Sequence, residues 1–178
     1  MAASVPPSRS TSPARRGSVL VVRQNIMPSN PIIVNKRGDV FVAFHKCREE
    51  SLPSHLGPIT HALIVVTHGD RSLYLFNLWK KHWELPGGTR EDGESPRECA
   101  LRELAEETGQ KVTDADFRGV MEFRLQPDNK TEFGALYRAT LTELQPFKAN
   151  SEAKEIVFWD GVSDIGEVDR IDVELLKY

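Results

Sequence analysis

The 178-residue chain has few cysteines and no long apolar run. Its two thiols, Cys47 and Cys99, cannot build a disulfide framework, so we expect a reducing environment and a cytoplasmic protein. The longest dense apolar stretch covers residues 62–66, far short of the roughly 20 residues that a membrane-spanning helix needs. No secretory signal fits the N-terminal region, and we expect no association with a membrane.

Acidic residues are missing from the first 38 positions, which carry six basic side chains. Residues 1–30 are also rich in Ser, Pro, Ala and Arg, so we expect a disordered tail there and a single domain over residues 31–178. The tail is either a dispensable leader or an organelle-targeting segment. Residues 39–178 contain 17 basic and 26 acidic side chains, a net charge of −9. An acidic body argues against stable nucleic-acid binding.

Short apolar stretches separated by turn residues predict a β-sheet. The strand candidates lie in PIIVNKRGDVFVAF, around a Gly38-Asp39 turn, and in HALIVV, SLYLFNL, FRGVMEFRL, EFGALYRATL and EIVFWD. The last sixteen residues predict a closing helix with Ser163 or Asp164 as its cap. Strands that surround one strong helix and end in another predict an α/β sandwich with a mixed sheet.

The most unusual stretch is GTREDGESPRECALRELAEETG, from Gly88 to Gly109. Ser95 is a good N-cap, Pro96 suits the first helical position, and Glu98 completes a capping box. Gly109 supplies a C-terminal stop. These signals predict a helix from Pro96 to Thr108.

This helix should have one apolar face and one acidic face. Glu103, Glu106 and Glu107 stand at i, i+3 and i+4, so their carboxylates can converge. Acids near the C-terminal end of a helix oppose its dipole, which favours a compensating cation over the alternative of a solvated acidic face. Carboxylates without histidine or thiolate partners suit Mg²⁺ or Mn²⁺. The face predicted to pack on the sheet comprises Ala100, Leu101, Leu104, Ala105 and Thr108.

The spacing of these residues resembles the Nudix box, a pattern of G, five residues, E, seven residues, R-E, an aliphatic, any, E-E, any, G and an aliphatic. Gly88, Glu94, Arg102, Glu103, Leu104, Glu106, Glu107 and Gly109 fill every fixed position. Gln110 replaces the last aliphatic residue, and we expect Val112 to take over its packing role. The resemblance implies the Nudix α-β-α sandwich and the hydrolysis of a nucleoside diphosphate linked to another group.

The resemblance also implies roles for individual residues. Glu103, Glu106 and Glu107 would bind the divalent metal, Mg²⁺ or Mn²⁺, with the Gly88 carbonyl as a further ligand. Arg102 would orient a box glutamate. The base that activates water would be Glu103 or an acid on a loop before a late strand, where this chain offers Glu152 and Glu155.

The substrate is less well specified than the reaction. A strand, WELPGG, the box and a late FWD, in that order, resemble the branch that hydrolyses nucleoside triphosphates, including oxidised guanine nucleotides. Hydrolysis of ADP-ribose, another nucleotide sugar or a dinucleotide stays an alternative, as does a nucleotide-sensing module without turnover. We expect a nucleotide as the substrate and a monomer or homodimer as the assembly. The residues predicted to contact the substrate are Lys81, Arg90, Glu94 and Trp159.

Overall fold

The computed structural model describes Met1 and residues 31–178, so the predicted disordered tail lies outside the described residues apart from Met1. Within residues 31–178 the chain forms nine strands and two helices. They are β1 (Ile33–Val34), β2 (Val40–His45), β3 (Ile59–His68), β4 (Arg71–Asn77), β5 (His82–Glu84), β6 (Gly87–Thr89), α1 (Pro96–Thr108), β7 (Asp116–Leu125), β8 (Lys130–Thr140), β9 (Ala153–Trp159) and α2 (Arg170–Leu175). Every predicted strand is confirmed.

The strands form one sheet in the order β1-β2-β7-β8-β3-β4-β5, with β6 paired to β3 and β9 paired to β4. β3 runs parallel to β8, whereas the other strand pairs within residues 31–178 are antiparallel. The predicted mixed sheet is therefore confirmed.

The central strand β3 is apolar on both faces because each face carries a helix. Successive side chains of a strand point to opposite faces. Ala62, Ile64 and Val66 belong to the buried cluster that includes α1, while Val65 belongs to the cluster that includes α2. This arrangement confirms the predicted α-β-α sandwich. No helix in the described part of the chain combines the length and the apolarity that crossing a membrane requires.

Helix α1 has the bounds and the caps predicted from the sequence. The Ser95 hydroxyl accepts a hydrogen bond from the Glu98 amide, and the Glu98 carboxylate accepts one from the Ser95 amide, which completes the capping box. Gly109 ends the helix in the left-handed conformation at φ 69°, and its amide donates to the Ala105 carbonyl. Local chemistry alone therefore sets where this helix begins and ends.

The predicted inner face of α1 is partly wrong. Leu101 and Ala105 are only half-buried, whereas Cys99 is fully buried and Glu107 is 4% exposed. The reason is tertiary, because β6 covers the flank of the helix and the Gly87 amide donates a hydrogen bond to the Glu107 carboxylate. The buried surface of α1 is therefore rotated toward its acidic side.

Gln110 fills the position where the Nudix pattern has an aliphatic residue. It is fully buried, and its amide group donates to the Gln145 carbonyl at 2.7 Å and accepts from the Gln145 amide at 3.0 Å. The half-buried Val112 side chain packs against the buried cluster that includes α1, as expected. A paired polar side chain thus occupies the site without leaving an unsatisfied group.

The predicted cap of the closing helix is wrong. Helix α2 begins at Arg170 with Asp169 as its N-cap, rather than at Ser163 or Asp164. Residues 167–169 pair with β5: the Trp83 amide donates to the Glu167 carbonyl, and the Asp169 amide donates to the Trp83 carbonyl. Gly166, just before them, has φ 96° and so lies outside the helical conformation. A helix pattern cannot be realised where the backbone hydrogen bonds go to a neighbouring strand.

Candidate active site

Two consecutive glycines allow the acidic helix to approach the sheet closely. Gly87 and Gly88 lie in β6 and pair with Leu63 and Ala62 of β3. At Gly87, which has φ 151°, a Cβ atom would collide with the Ala62 carbonyl. At Gly88 it would collide with the Glu103 carboxylate. Glycine is therefore required at both positions if a carboxylate is to lie against this backbone.

Two of the three clustered helix acids point toward the glycine pair. Glu107 is buried, and one carboxylate oxygen accepts a hydrogen bond from the Gly87 amide at 2.9 Å. The Glu103 carboxylate packs on Gly88, with 14% of its side chain exposed. Glu106 lies further out, with 62% of its side chain exposed. The three acids thus run from the buried end of the site to solvent.

Burial and mutual repulsion raise the pKa values of the inner acids. Burial is the largest cause at Glu107 and, with the charges of Glu152, Glu103 and Glu84, raises its pKa to about 9. Burial also raises the pKa of Glu103 above its usual value. A nearby cation favours ionised carboxylates and opposes both shifts. The cluster is therefore built in a way that favours a positive partner.

Arg102 holds the outer part of this cluster together. Its guanidinium donates to Glu94 at 2.8 Å, to Glu103 at 2.9 Å, to Glu106 at 3.1 Å and to the Thr89 carbonyl at 3.1 Å. The hydrogen bonds from this guanidinium are the main reason that the pKa of Glu94 falls to about 2. One arginine therefore fixes the orientation of three acids and ties α1 to the strand before it.

Replacing Arg102 with methionine is expected to lower the free energy of unfolding by about 2 kcal/mol, because several hydrogen bonds to charged groups are lost at once. Divalent ions should restore part of this loss in the variant, since they neutralise the carboxylates that the arginine no longer pairs. Urea unfolding with and without Mg²⁺ measures both effects. An unchanged free energy of unfolding would contradict this role.

The predicted acid Glu152 lies beside the last turn of α1. The Asn150 side-chain amide donates to the carbonyls of Glu106 and Glu107, at 3.0 and 3.1 Å. Its oxygen accepts from the Glu152 amide at 2.9 Å. Asn150 therefore satisfies carbonyls that the helix end leaves unpaired and places Glu152 next to the carboxylate cluster.

Two further residues complete the site, and the sequence interpretation missed both. The buried Asn77 donates to Glu84 at 2.7 Å and to Glu152 at 3.4 Å. Glu84 also accepts from Lys80 at 2.7 Å and pairs with His82 at 3.1 Å. Glu84 stands in WELPGG three residues before the first glycine, a signal that could have pointed to it. Nothing in the sequence distinguishes Asn77.

Two of the predicted site residues lie away from this cluster. Glu155 is exposed on β9, and its ion pair within residues 31–178 is with Lys154. Trp159 stands at the opposite end of β9 from Glu152, about 20 Å along the strand. The Trp159 ring packs edge-on against Tyr74, and its ring nitrogen donates to the Ser163 carbonyl. The structure does not bring either side chain to the carboxylates.

The predicted substrate-contacting cations have different surroundings. The Arg90 guanidinium donates to the carbonyls of Ile59 and Glu94 and so braces the loop before α1. Lys81 is exposed on the β4–β5 loop and lines a groove that lies beyond Glu84. Arg90 therefore has a structural position, and Lys81 stands at a distance from the box.

A cavity of about 260 Å³ opens next to the glycine pair. We call it the inner cavity. Its apolar walls are Leu63, Leu85, Phe123, Leu125 and Ile171, and its polar lining includes Asn35, Arg37, Lys80, Glu84, Asp169 and Asp172. It runs from Gly88 to the N-terminal end of α2. Its mixture of apolar walls and a few polar groups is typical of a small-molecule site.

Asp172 is a buried acid in the wall of the inner cavity. Its carboxylate accepts a hydrogen bond from the Leu85 amide at 2.8 Å. Burial, followed by the charges of Asp169 and Glu84, raises the pKa of Asp172 well above its usual value. The pKa of Asp172 is higher in the folded state than in the unfolded state, so protonation of this acid stabilises the fold. The stabilisation is complete at low pH and is lost as the pH rises through the pKa of the folded state.

Replacing Asp172 with asparagine is expected to increase the free energy of unfolding at pH 8, because the folded variant does not have to bury an ionised carboxylate there. The gain should be smaller at pH 5, because more of the wild-type carboxyl group is protonated there and therefore neutral, as the amide is. Urea unfolding at both pH values measures the difference, with the exposed Asp92→Asn as a control. An equal gain at both pH values would contradict the assignment.

The donor chemistry of the cluster fits a hard divalent cation. As the side chains stand, no group of three His, Cys, Asp or Glu residues within residues 31–178 is arranged to hold a metal ion. Arg102 instead spans two of the helix acids. Carboxylate oxygens and the Gly88 carbonyl are the ligand types that Mg²⁺ and Mn²⁺ prefer. The Cys99 thiol lies 3.4 Å from the Gly88 carbonyl, but burial raises its pKa to about 11, so it is a poor ligand.

The chain matches a known domain family and shares shorter stretches of sequence with named proteins. The model of the NUDIX domain matches residues 58–177. The mouse protein "Nucleoside diphosphate-linked moiety X motif 6" is 37% identical over 70 residues, which cover 39% of this chain and 21% of that protein. The Proteus vulgaris "8-oxo-dGTP diphosphatase" is 33% identical over 82 residues, which cover 46% of this chain and 48% of that protein. The matched part of the chain thus spans between a fifth and a half of these relatives.

Solved structures share the fold at low sequence identity. The Bacillus subtilis pyrophosphohydrolase BsRppH has a TM-score of 0.60 and 20% identity, over 75% of this chain and 79% of that chain. The MutT NUDIX hydrolase from Burkholderia pseudomallei has a TM-score of 0.58 and 15% identity, over 68% of this chain and 98% of that chain. At these identities the likeness extends to the fold alone.

Proposed function

The chain belongs to the Nudix hydrolase family, and on that premise we propose that it hydrolyses a nucleoside diphosphate linked to another group, with the help of a divalent metal. One observation carries the proposal: the carboxylates of Glu103 and Glu107 lie against the Gly87–Gly88 backbone, and the same two glycines line a cavity. A solvated acidic face would not bury one of its glutamates against a sheet.

The residues proposed to hold the metal are Glu103, Glu106, Glu107 and the Gly88 carbonyl. Bound Mg²⁺ or Mn²⁺ would mask phosphate charge and lower the pKa of water. Arg102 keeps the outer acids in register before the substrate arrives. The close approach that the glycines permit lets the Glu103 carboxylate pack on Gly88 and the Glu107 carboxylate accept from the Gly87 amide.

Glu152 is the acid best placed to take the proton from the attacking water. It is exposed, it has no ion pair within residues 31–178, and its turn is fixed to α1 by Asn150. Glu103, the other candidate, is held by Arg102 and packs on Gly88. In the proposed step, water attacks phosphorus, its proton passes to Glu152, and the bond to the bridging oxygen breaks. The departing phosphate keeps that oxygen's electron pair.

The substrate that we propose first is a nucleoside triphosphate, including an oxidised guanine nucleotide, cleaved to the monophosphate and pyrophosphate. Support comes from the order of the sequence motifs and from the partial match to the Proteus vulgaris relative. ADP-ribose, other nucleotide sugars and dinucleotides are the alternative. The apolar walls and polar ends of the inner cavity suit the nucleoside part of any of these.

A panel of nucleotides in Mg²⁺ or Mn²⁺, with products identified by mass, tests this proposal. Reaction in ¹⁸O-labelled water shows which phosphorus is attacked. Label in the nucleoside monophosphate means attack at the α-phosphorus, and label in pyrophosphate means attack at the β-phosphorus. Turnover of the triphosphates supports the first substrate class, and turnover of ADP-ribose alone supports the alternative.

The rival from another class is a nucleotide-sensing module without turnover. It would bind nucleotides tightly in calorimetry and cleave none of them over hours. The complete set of box acids favours the enzyme, because a sensor has no need of metal-bound water. The cytoplasmic location and the monomer or homodimer state stay predictions.

A further inference from the structure

A second depression, the outer groove, adjoins the inner cavity. Its volume is about 720 Å³. Asn35, Arg37, Lys80 and Asp169 line both spaces, so the two adjoin at these four residues. Glu84 and the glycine pair line the inner cavity and not the outer groove. Lys80, which lines both, donates a hydrogen bond to Glu84 at 2.7 Å.

The outer groove is basic although the folded body is acidic. Residues 31–178 contain 19 basic and 26 acidic side chains, a net charge of −7. In the groove the basic residues outnumber the acidic ones. The basic residues are Lys36, Arg37, Lys80, Lys81 and Arg170, and the acidic ones are Glu167 and Asp169. A local reversal of sign attracts anions.

The acids of the groove are already engaged. Glu167 pairs with Lys36 at 2.6 Å. Asp169 accepts from the Asn35 side chain at 2.9 Å and from the Ile171 amide at 2.8 Å. Within residues 31–178, neither Lys81 nor Arg170 has an ion pair. Arg37 pairs with Asp39 at 2.9 Å and Lys80 pairs with Glu84 at 2.7 Å. The positive charge that is left without an ion-pair partner in the described structure is therefore that of Lys81 and Arg170.

The conformation of Lys81 adds to this picture. Its φ of 62° lies in the left-handed region, where lysine has more backbone strain than glycine. A strained residue persists when the surrounding structure determines its conformation. Here the Lys81 amide donates to the Asn77 carbonyl, so the loop fixes the lysine at the groove.

Part of the groove comes from outside the matched family region. The NUDIX domain match begins at residue 58, whereas Lys36 and Arg37 lie in the turn between β1 and β2. The side-chain amide of Asn35 ties this turn to Asp39 and Asp169. The hairpin therefore completes one wall of the groove, whereas the two cations without an ion pair, Lys81 and Arg170, lie inside the matched region.

We infer that the outer groove binds a second phosphate group of the substrate, an ester on the nucleoside sugar, remote from the anhydride bond that is cleaved. The inference rests on the proposed function and narrows its substrate class. The inner cavity of about 260 Å³ is smaller than the roughly 300–1,000 Å³ of typical ligand pockets. In the proposed binding mode, a nucleotide with its phosphates at Gly88 and its nucleoside in the inner cavity extends past the shared residues into the groove.

A matched pair of nucleotides tests the inference: GTP and the same triphosphate with an additional 3′-phosphate. The wild-type protein should favour the second by at least about tenfold in kcat/KM, because a phosphate makes charge-assisted hydrogen bonds to the unpaired cations. The preference should shrink at higher ionic strength, since the groove is open to solvent. Calorimetry gives the ratio of Kd values for the same pair, whether or not turnover occurs.

In the variant that combines Lys81→Gly with Arg170→Ala, the kcat/KM ratio and the Kd ratio of the two nucleotides should both come close to one. Glycine suits the left-handed conformation, so Tm should not fall on account of Lys81→Gly. Lys46→Ala removes an exposed lysine that lines neither space and should leave both ratios unchanged.

Equal kcat/KM values and equal Kd values for the two nucleotides in the wild type would overturn the inference. An equal loss of kcat/KM for both nucleotides in the double variant would also overturn the inference. The groove would then bind the triphosphate chain and not the additional 3′-phosphate. If neither nucleotide is hydrolysed but the protein still binds the 3′-phosphorylated nucleotide more tightly, the proposed hydrolysis is wrong. The inferred phosphate site is then still supported.

Discussion

Replacing Glu107 with glutamine is expected to lower kcat by about 10²–10⁴, with the fold intact. The amide oxygen of glutamine can still accept the hydrogen bond from the Gly87 amide that the carboxylate accepts at 2.9 Å. Glutamine fits the buried site between α1 and β6 but lacks the charge that a divalent ion requires. Glu106→Gln should act in the same direction, because Glu106 is the solvent-side member of the cluster.

Glu91→Gln is the matched control for both substitutions. Glu91 lies in the same acidic stretch, is exposed, and its carboxylate makes no ion pair within residues 31–178. Its kcat should stay within about twofold of the wild type, as for surface changes away from the site. Metal-dependent turnover near the wild-type rate in Glu107→Gln, measured alongside an unchanged Tm, would show that the metal site is elsewhere.

Replacing Glu152 with glutamine is expected to lower kcat by about 10², the lower end of the range for a general base. Glu155→Gln should leave kcat within about twofold, although the two acids are only three residues apart. The difference follows from structure, because Asn150 and Asn77 hold Glu152 beside the carboxylate cluster. Glu155 instead faces solvent on β9 with Lys154.

Steady-state kinetics of the two variants, at saturating metal, separates three outcomes. A loss in Glu152→Gln alone supports the proposed base. A loss in Glu155→Gln alone would mean that β9 is displaced when substrate binds. Near-normal kcat in both would assign the proton to Glu103.

Some features of the protein are determined by short stretches of sequence. Helix α1 begins and ends where predicted because the Ser95–Glu98 capping box and Gly109 act on backbone groups within one turn. Seven of the nine strands were predictable because they are apolar runs bounded by turn residues. β5 and β6 were not among the predicted strands, because these three-residue strands form by pairing with β4 and β3. The spacing of Glu103, Glu106 and Glu107 indicated a carboxylate cluster for the same local reason, the helical repeat.

Tertiary contacts decided the rest of the active site. The helix wheel placed Glu107 on the polar side, but β6 buried it, because strand pairing with β3 brings Gly87 against the helix. Glu84 and Asn77 joined the site through the pairing of β4 with β5. These contacts connect residues that are distant in sequence, so no local pattern records them.

The closing segment shows the same division. Its apolar spacing predicted a helix from Ser163, yet residues 167–169 pair with Trp83 and the helix begins only after Asp169. The sequence by itself determined the capped acidic helix, the strands other than β5 and β6, and the Nudix box. Only the tertiary structure decided which acids are buried, which cations line the outer groove, and that Trp159 lies far from the box. The physical reason is that caps and periodicity act within one element, whereas burial and charge pairing depend on which elements meet.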